Sequence, residues 1–152
     1  MGAARSDARV VAPLQLEQPV AGRRTDSFNL YFELLTESIR APHIVVFLKH
    51  LVQRIPGPLL LVWAGLPAHR ARIVKDYLAS LEGRITVERL PAYAPELNPV
   101  EYIWCYLKQH ELPNFCPKDL WSLGELARKK LARMRRRKPI LAACWKQSSL
   151  AF

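Results

Sequence analysis

The residues best suited to chemistry fall in three places. The run RKKLARMRRRK holds Arg128, Lys129, Lys130, Arg133, Arg135, Arg136, Arg137 and Lys138, eight cations in eleven positions, and without them the net charge of +10 falls to +2. Charge this dense attracts phosphates and releases the counterions condensed on nucleic acid. An exposed helical face or a solvated tail would carry the same composition. Glu101 follows Asn98 and Pro99, a pair suited to the cap and first residue of a helix, so its carboxylate belongs in the first turn, where the helix dipole favours an anion. Carboxylate oxygens also suit hard divalent cations. The third place is LLLVWAGLPAHR, in which an apolar run from Leu59 ends at Ala64 and His69 follows shortly after. Open α/β sheets collect ligands at such strand tips, yet a methyl group neither binds a metal nor moves a proton. His69 reads equally as a satisfied structural imidazole or as a site residue.

The elements that must position these residues are legible from periodicity. ARVVAPLQLE (8–17) and FNLYFELL (28–35) have strand character on either side of the polar PVAGRRTDS, which predicts a hairpin. HIVVFLKHLVQRI repeats Val45, Phe47, Leu48, Leu51, Val52 and Ile55 at helical spacing until Pro56 and Gly57. A strand over 59–63, bounded by Pro58 and Gly65, is expected to be buried on both faces. A helix over 68–81 should turn Ile73, Val74, Tyr77, Leu78 and Leu81 inward, and the strand ITVERL follows. This β-β-α-β-α-β order implies parallel strands with right-handed crossovers in its second half. Beyond a proline-rich loop, the helix capped by Asn98 should bury Val100, Ile103, Trp104 and Leu107. A last helix, about 118–137, carries Leu120, Leu123, Ala127, Leu131 and Met134 inward until Pro139 interrupts it. Trp63, Trp104, Trp121 and Trp145 each sit in an apolar pattern and read as core aromatics.

Length and composition bound the rest. With 152 residues and half of them hydrophobic, a single domain over 1–152 is expected, its first seven residues disordered and 118–150 forming a helical, basic C-terminal segment. No apolar run reaches the roughly 18 residues of a membrane helix, and the first residues lack the apolar core of a signal peptide, so a cytoplasmic protein with no membrane partner is expected. Cys105, Cys116 and Cys144 are odd in number and widely spaced, which points to neither a disulfide framework nor a zinc knuckle.

The segment LPAYAPELNPVEYIWCYLK resembles the final catalytic motif of mariner-like insertion-sequence transposases: a proline-rich loop, Leu-Asn-Pro-x-Glu, then an aromatic and Trp on a helix. The matching residues are Leu90, Pro91, Tyr93, Pro95, Leu97, Asn98, Pro99, Glu101, Trp104 and Lys108. LLLVWAGLPAHR is similar to the family's strand ending in Asp followed by His-Arg. The resemblance spans roughly residues 9–148. It implies a ribonuclease-H-like α/β fold, a mixed sheet flanked by helices, in which two Asp and one Glu of the DDE type hold two Mg2+ or Mn2+ ions for DNA strand cleavage and transfer at insertion-sequence ends. Glu101 matches the Glu. Ala64 falls where the second Asp belongs, with 36 residues between it and Glu101. The resemblance leads one to expect that the opening strand with the first Asp is absent, since only MGAARSD precedes the strand at 8–17 and Asp7 and Asp26 end no apolar strand. The resemblance therefore implies a vestigial metal ligand at Glu101, a metal pair that is not bound, an inactive catalytic domain, His69 at the site's border, and no small-molecule cofactor. DNA is the implied partner, along with self-association or association with a full-length transposase. Two alternatives remain open at this point: a non-catalytic DNA-binding or oligomerising remnant that modulates an intact transposase, and a decaying gene product.

Overall fold

The computed structural model describes residues 29–35, 37–113, 116 and 118–148, with the backbone of short strands at 10–11 and 14–15. The expected disordered stretch 1–7, Asp7, Asp26, the side chain of Leu120 and residues 149–150 lie outside the described residues. The chain forms two compact units. One is split in sequence, Met1–Ser38 with Pro95–Phe152, and the other is contiguous, Ile39–Ala94.

The split unit opens with four two-residue strands: β1 (Val10–Val11), β2 (Leu14–Gln15), β3 (Asn29–Leu30) and β4 (Glu33–Leu34). Val10 faces Leu34, Val11 faces Glu33, Leu14 faces Leu30 and Gln15 faces Asn29, all antiparallel. The four pairs keep one register, so they are two stretches of a single hairpin, as expected.

In the contiguous unit, α1 (Ala41–Arg54) buries Ile44, Leu48 and Leu51, and Ile55 just beyond continues the stripe. Steps of four, three and four residues set one helical face. Val45, Phe47 and Val52, expected inside, flank it half-buried. Arg84 closes the helix end, its guanidinium donating to the carbonyls of Val52 (2.7 Å) and Ile55 (2.8 Å). These carbonyls lie where intrahelical partners run out.

β5 (Leu59–Trp63) matches the expected strand residue for residue, and it runs parallel to β6 (Ile85–Arg89) with α2 (Arg72–Ser80) between them in the chain. Burial on both faces does not hold: Leu59 is 7% exposed and Leu60 is 37% exposed. The expected helix over 68–81 is also broken. Pro67–Arg70 form a tight 3-10 turn, Ala71 is extended (φ −61°, ψ 147°), and the α-helix starts only at Arg72. The restart turns Val74 fully inward and leaves Ile73, expected inside, 47% exposed.

The chain returns to the split unit through α3 (Pro99–Tyr106), a π-helical turn (Leu107–Glu111), α4 (Leu120–Arg136) and α5 (Lys138–Gln147). Leu30, Ile103, Leu107, Leu131, Met134, Leu141 and Cys144 form its core. Burial pushes the Cys144 thiol above its usual pKa, so it stays a protonated, inert core group. Asp119 caps α4 by accepting from the Ser122 N–H at 2.6 Å. That bond holds the Asp119 carboxyl below its ordinary range. The expected interruption near Pro139 occurs at Arg137, the C-cap of α4, and Pro139 then occupies the first turn of α5. Proline is tolerated there because first-turn N–H groups lack intrahelical partners. No described helix is long and apolar enough to cross a membrane.

Candidate functional site

The tip of β5 is the first candidate. The strand ends at Trp63, and the chain then passes through Ala64 and Gly65 into the 3-10 turn, whose residues fold back on it. His69 Nδ1–H donates to the Ala64 carbonyl, and the Arg70 guanidinium donates to the Gly65 carbonyl at 2.9 Å. A carbonyl only accepts, so this bond fixes the tautomer with hydrogen on Nδ1 and leaves Nε2 as the free lone pair. The imidazole also stacks on the Trp63 indole, ring centres 4.2 Å apart and planes 6° from parallel. Burial lowers the His69 pKa and the charge of Arg89 adds to this, against the opposing pull of the bond to Ala64. His69 is therefore a neutral ring clamped to the strand tip. The structure sets it against the Ala64 carbonyl on a separate turn and not, as the helix expected over 68–81 would have it, inside the α-helix.

Glu101 belongs to the split unit. Asn98 caps α3, its side-chain oxygen accepting from the Val100 N–H at 3.1 Å, and the Glu101 N–H donates to the Asn98 carbonyl at 3.0 Å. Tyr102 secures the preceding turn by donating its hydroxyl to the Glu96 carbonyl at 3.2 Å. The Glu101 side chain is exposed at the positive end of the helix dipole. A two-metal phosphoryl-transfer centre requires several convergent anionic oxygens. Among the described residues no group of three or more His, Cys, Asp or Glu is placed to hold a metal ion. The methyl group of Ala64 supplies no donor oxygen at the tip of β5.

The basic block divides by direction. Arg128, Lys129, Arg133, Arg135 and Arg136 are exposed on α4, whereas Lys130, Arg137 and Lys138 are half-buried. Lys130 Nζ lies 3.2 Å from Glu111 Oε2, and Arg137 donates to Glu111 Oε1 at 3.3 Å and to the Tyr106 hydroxyl at 3.5 Å. Lys138 donates to Asn29 Oδ1 at 2.7 Å. These three cations hold the split unit together, and five of the eight face outward.

The sequence profile of the DDE superfamily endonuclease family matches residues 18–120. The chain belongs to the DDE superfamily endonucleases. Its fold is that of the mariner transposase catalytic domain, ribonuclease-H-like and mixed α/β. The Mos1 transposase catalytic domain with raltegravir and manganese aligns at a TM-score of 0.56 and 20% identity over 97% of this chain and 82% of that one. The magnesium counterpart gives 0.52 and 23% over 80% and 70%. The Mos1 paired-end complex with manganese gives 0.57 and 17% over 95% and 55%. No curated protein sequence matches this chain.

Two features of this DDE chain escape the sequence reading. Glu111, the anion that engages two cations of the basic block, has no spacing rule to announce it, because the pairs at 130 and 137 form only when α4 packs on the π-turn. Trp121, read as core, is 73% exposed. Here a signal existed: the apolar stripe 123, 127, 131, 134 runs at steps of four, four and three, and position 121 stands off it.

Proposed function

We propose that this chain is a mariner-like transposase domain that has lost DNA cleavage and keeps a DNA-contacting surface on α4. The observation that carries the loss is Ala64: the strand tip is built, and the His-Arg turn is folded back on it, but the position that should supply a carboxylate ends in a methyl group. Without convergent oxygens there is nothing to gather the divalent cations whose charge would stabilise a pentavalent phosphate. What remains is electrostatic. Lys129, Arg133 and Arg136 recur at steps of four and three on the outward side of α4, rising about 6 Å and about 4.5 Å along its axis. Such a row suits the phosphates of a duplex, which position a protein without reading sequence.

Two measurements test the reading. Supercoiled plasmid incubated with the purified chain and Mg2+ or Mn2+ is expected to remain unnicked, and Ala64→Asp alone to remain inactive. Metal-dependent nicking that disappears in Glu101→Gln refutes the loss of cleavage. Duplex binding is followed by anisotropy across salt. If about four phosphates are neutralised, affinity falls about 100-fold between about 50 and 200 mM salt. Replacing Lys129, Arg133 and Arg136 with Ala is expected to flatten that slope, and an unchanged affinity and slope refute the surface.

A further inference from the structure

Trp121 is the one large aromatic of α4, and it lies 73% exposed two residues after the Asp119 cap. At about 100° per residue, positions seven apart nearly eclipse, drifting only about 20° per step. Trp121, Arg128 and Arg135 stand seven apart. They form one row along the outward side of the helix, beside the row of Lys129 and Arg136. The opposite side carries Ala127, Leu131 and Met134, which are 6%, 0% and 1% exposed. A membrane surface is thereby disfavoured as the partner, since the apolar stripe that would enter lipid is already spent in the core. An indole on a row of guanidiniums instead suits a nucleic-acid strand, with a base lying on the ring and phosphates meeting the cations.

A duplex does not offer this contact, because its base faces are stacked on one another. We propose that Trp121, Arg128 and Arg135 form a site for single-stranded DNA, an unpaired base stacking on Trp121 while the strand runs along α4 toward Arg135. The row is about 21 Å long at 1.5 Å per residue, and since a fully stacked strand rises roughly 3.4 Å per nucleotide, it accommodates at most about six nucleotides and fewer of an extended single strand. Glu125 lies between the two ends of the row and is held by Arg128 at 3.8 Å. The incoming phosphate displaces that weak, exposed pair. This inference rests on the reading of α4 as a DNA-contacting surface and adds the strandedness of the DNA.

The test uses the full chain with two fluorescein-labelled probes, a 12-nucleotide oligothymidine and a 12-base-pair duplex. Trp121→Ala is expected to weaken binding of the single strand about 10-fold or more, the scale of one stacked base, while duplex affinity changes less than about twofold. Trp121→Phe keeps a ring and is expected to recover most of the loss, and Arg128→Ala with Arg135→Ala to weaken the single strand further. Circular dichroism melts of each variant establish that α4 is still folded. Equal losses on both probes, or no loss on the single strand while Lys129→Ala, Arg133→Ala and Arg136→Ala still abolish duplex binding, overturn this inference and leave the duplex surface standing. If the unaltered chain binds neither probe, both readings fall. If Trp121→Ala changes only the sedimentation of the protein, Trp121 is a protein contact and the proposal is wrong.

Discussion

Replacing Glu111 with Gln keeps the shape of the side chain and removes the charge that Lys130 and Arg137 share. At 3.2 Å and an effective dielectric near 20, each pair is worth about 5 kcal/mol before desolvation. Desolvating the carboxylate offsets much of that. Glu111 is only 9% exposed, but Lys130 and Arg137 are 27% and 40% exposed, so water screens them and rehydrates them once the partner is gone. The loss should therefore fall below the roughly 3–5 kcal/mol of a fully buried pair broken on one side, at about 1–3 kcal/mol. For a chain of this size that lowers the melting temperature by about 3–10 °C. Urea denaturation followed by far-UV circular dichroism reads the difference directly, with the slope unchanged. The double variant with Lys130→Met should lose less than the sum of the two single changes, because the pair is counted once. A change under about 0.5 kcal/mol for Glu111→Gln, or strict additivity in the cycle, would show that the three groups are near one another without stabilising α4.

Other expectations follow from the same geometry. Asn98→Ala removes the acceptor for the Val100 N–H and should cost about 0.5–2 kcal/mol, whereas Asn98→Asp should retain most of the stability; equal melts for the Ala variant and the original would mean the cap contributes nothing. The neutral His69 has a folded pKa below 6.5, so the unfolded chain takes up its proton first. Its contribution to stability is complete above about pH 6.5 and is lost as pH falls through the folded value. An imidazole NMR titration midpoint at or above 6.5, or identical pH dependence of stability in His69→Gln, refutes this. Leu131, fully buried in the core, should cost about 2–5 kcal/mol on truncation to Ala, and a cost below about 1 kcal/mol would mean that the space collapses freely.

Local chemistry was legible wherever a residue acts on its immediate neighbours. Asn98, Pro99 and Glu101 reproduce their helix start because a cap, a missing N–H and a dipole act within one turn. Leu59–Trp63 forms its strand because flanking proline and glycine leave that run no other extended length. The motif around Glu101 also carried the family. Periodicity failed where tertiary contacts compete with it. The turn at Pro67–Arg70 is held by two bonds to the strand tip, and this shifts the helix start and exposes Ile73. In α1 the buried stripe passes through Ile44, which periodic reading left out in favour of its equally apolar neighbours. Eight basic residues looked alike in sequence, and only packing against Glu111 and Asn29 separates three that bind inward from five that face out.

The split of one unit by the other sets an order for folding during synthesis. Ile39–Ala94 is complete in sequence as soon as residue 94 leaves the ribosome, and the bonds of Arg84 that close the end of α1 are made within it. The hairpin strand that bears Leu30 emerges earlier but lacks its partners. Its buried neighbours Ile103, Leu131 and Leu141 arrive after the whole contiguous unit, a delay of about 5–20 s at typical translation rates. For that interval an apolar strand waits uncovered while the contiguous unit is already folded. Chaperone capture and early aggregation should therefore concentrate on nascent chains from which residue 94 has emerged and residue 131 has not.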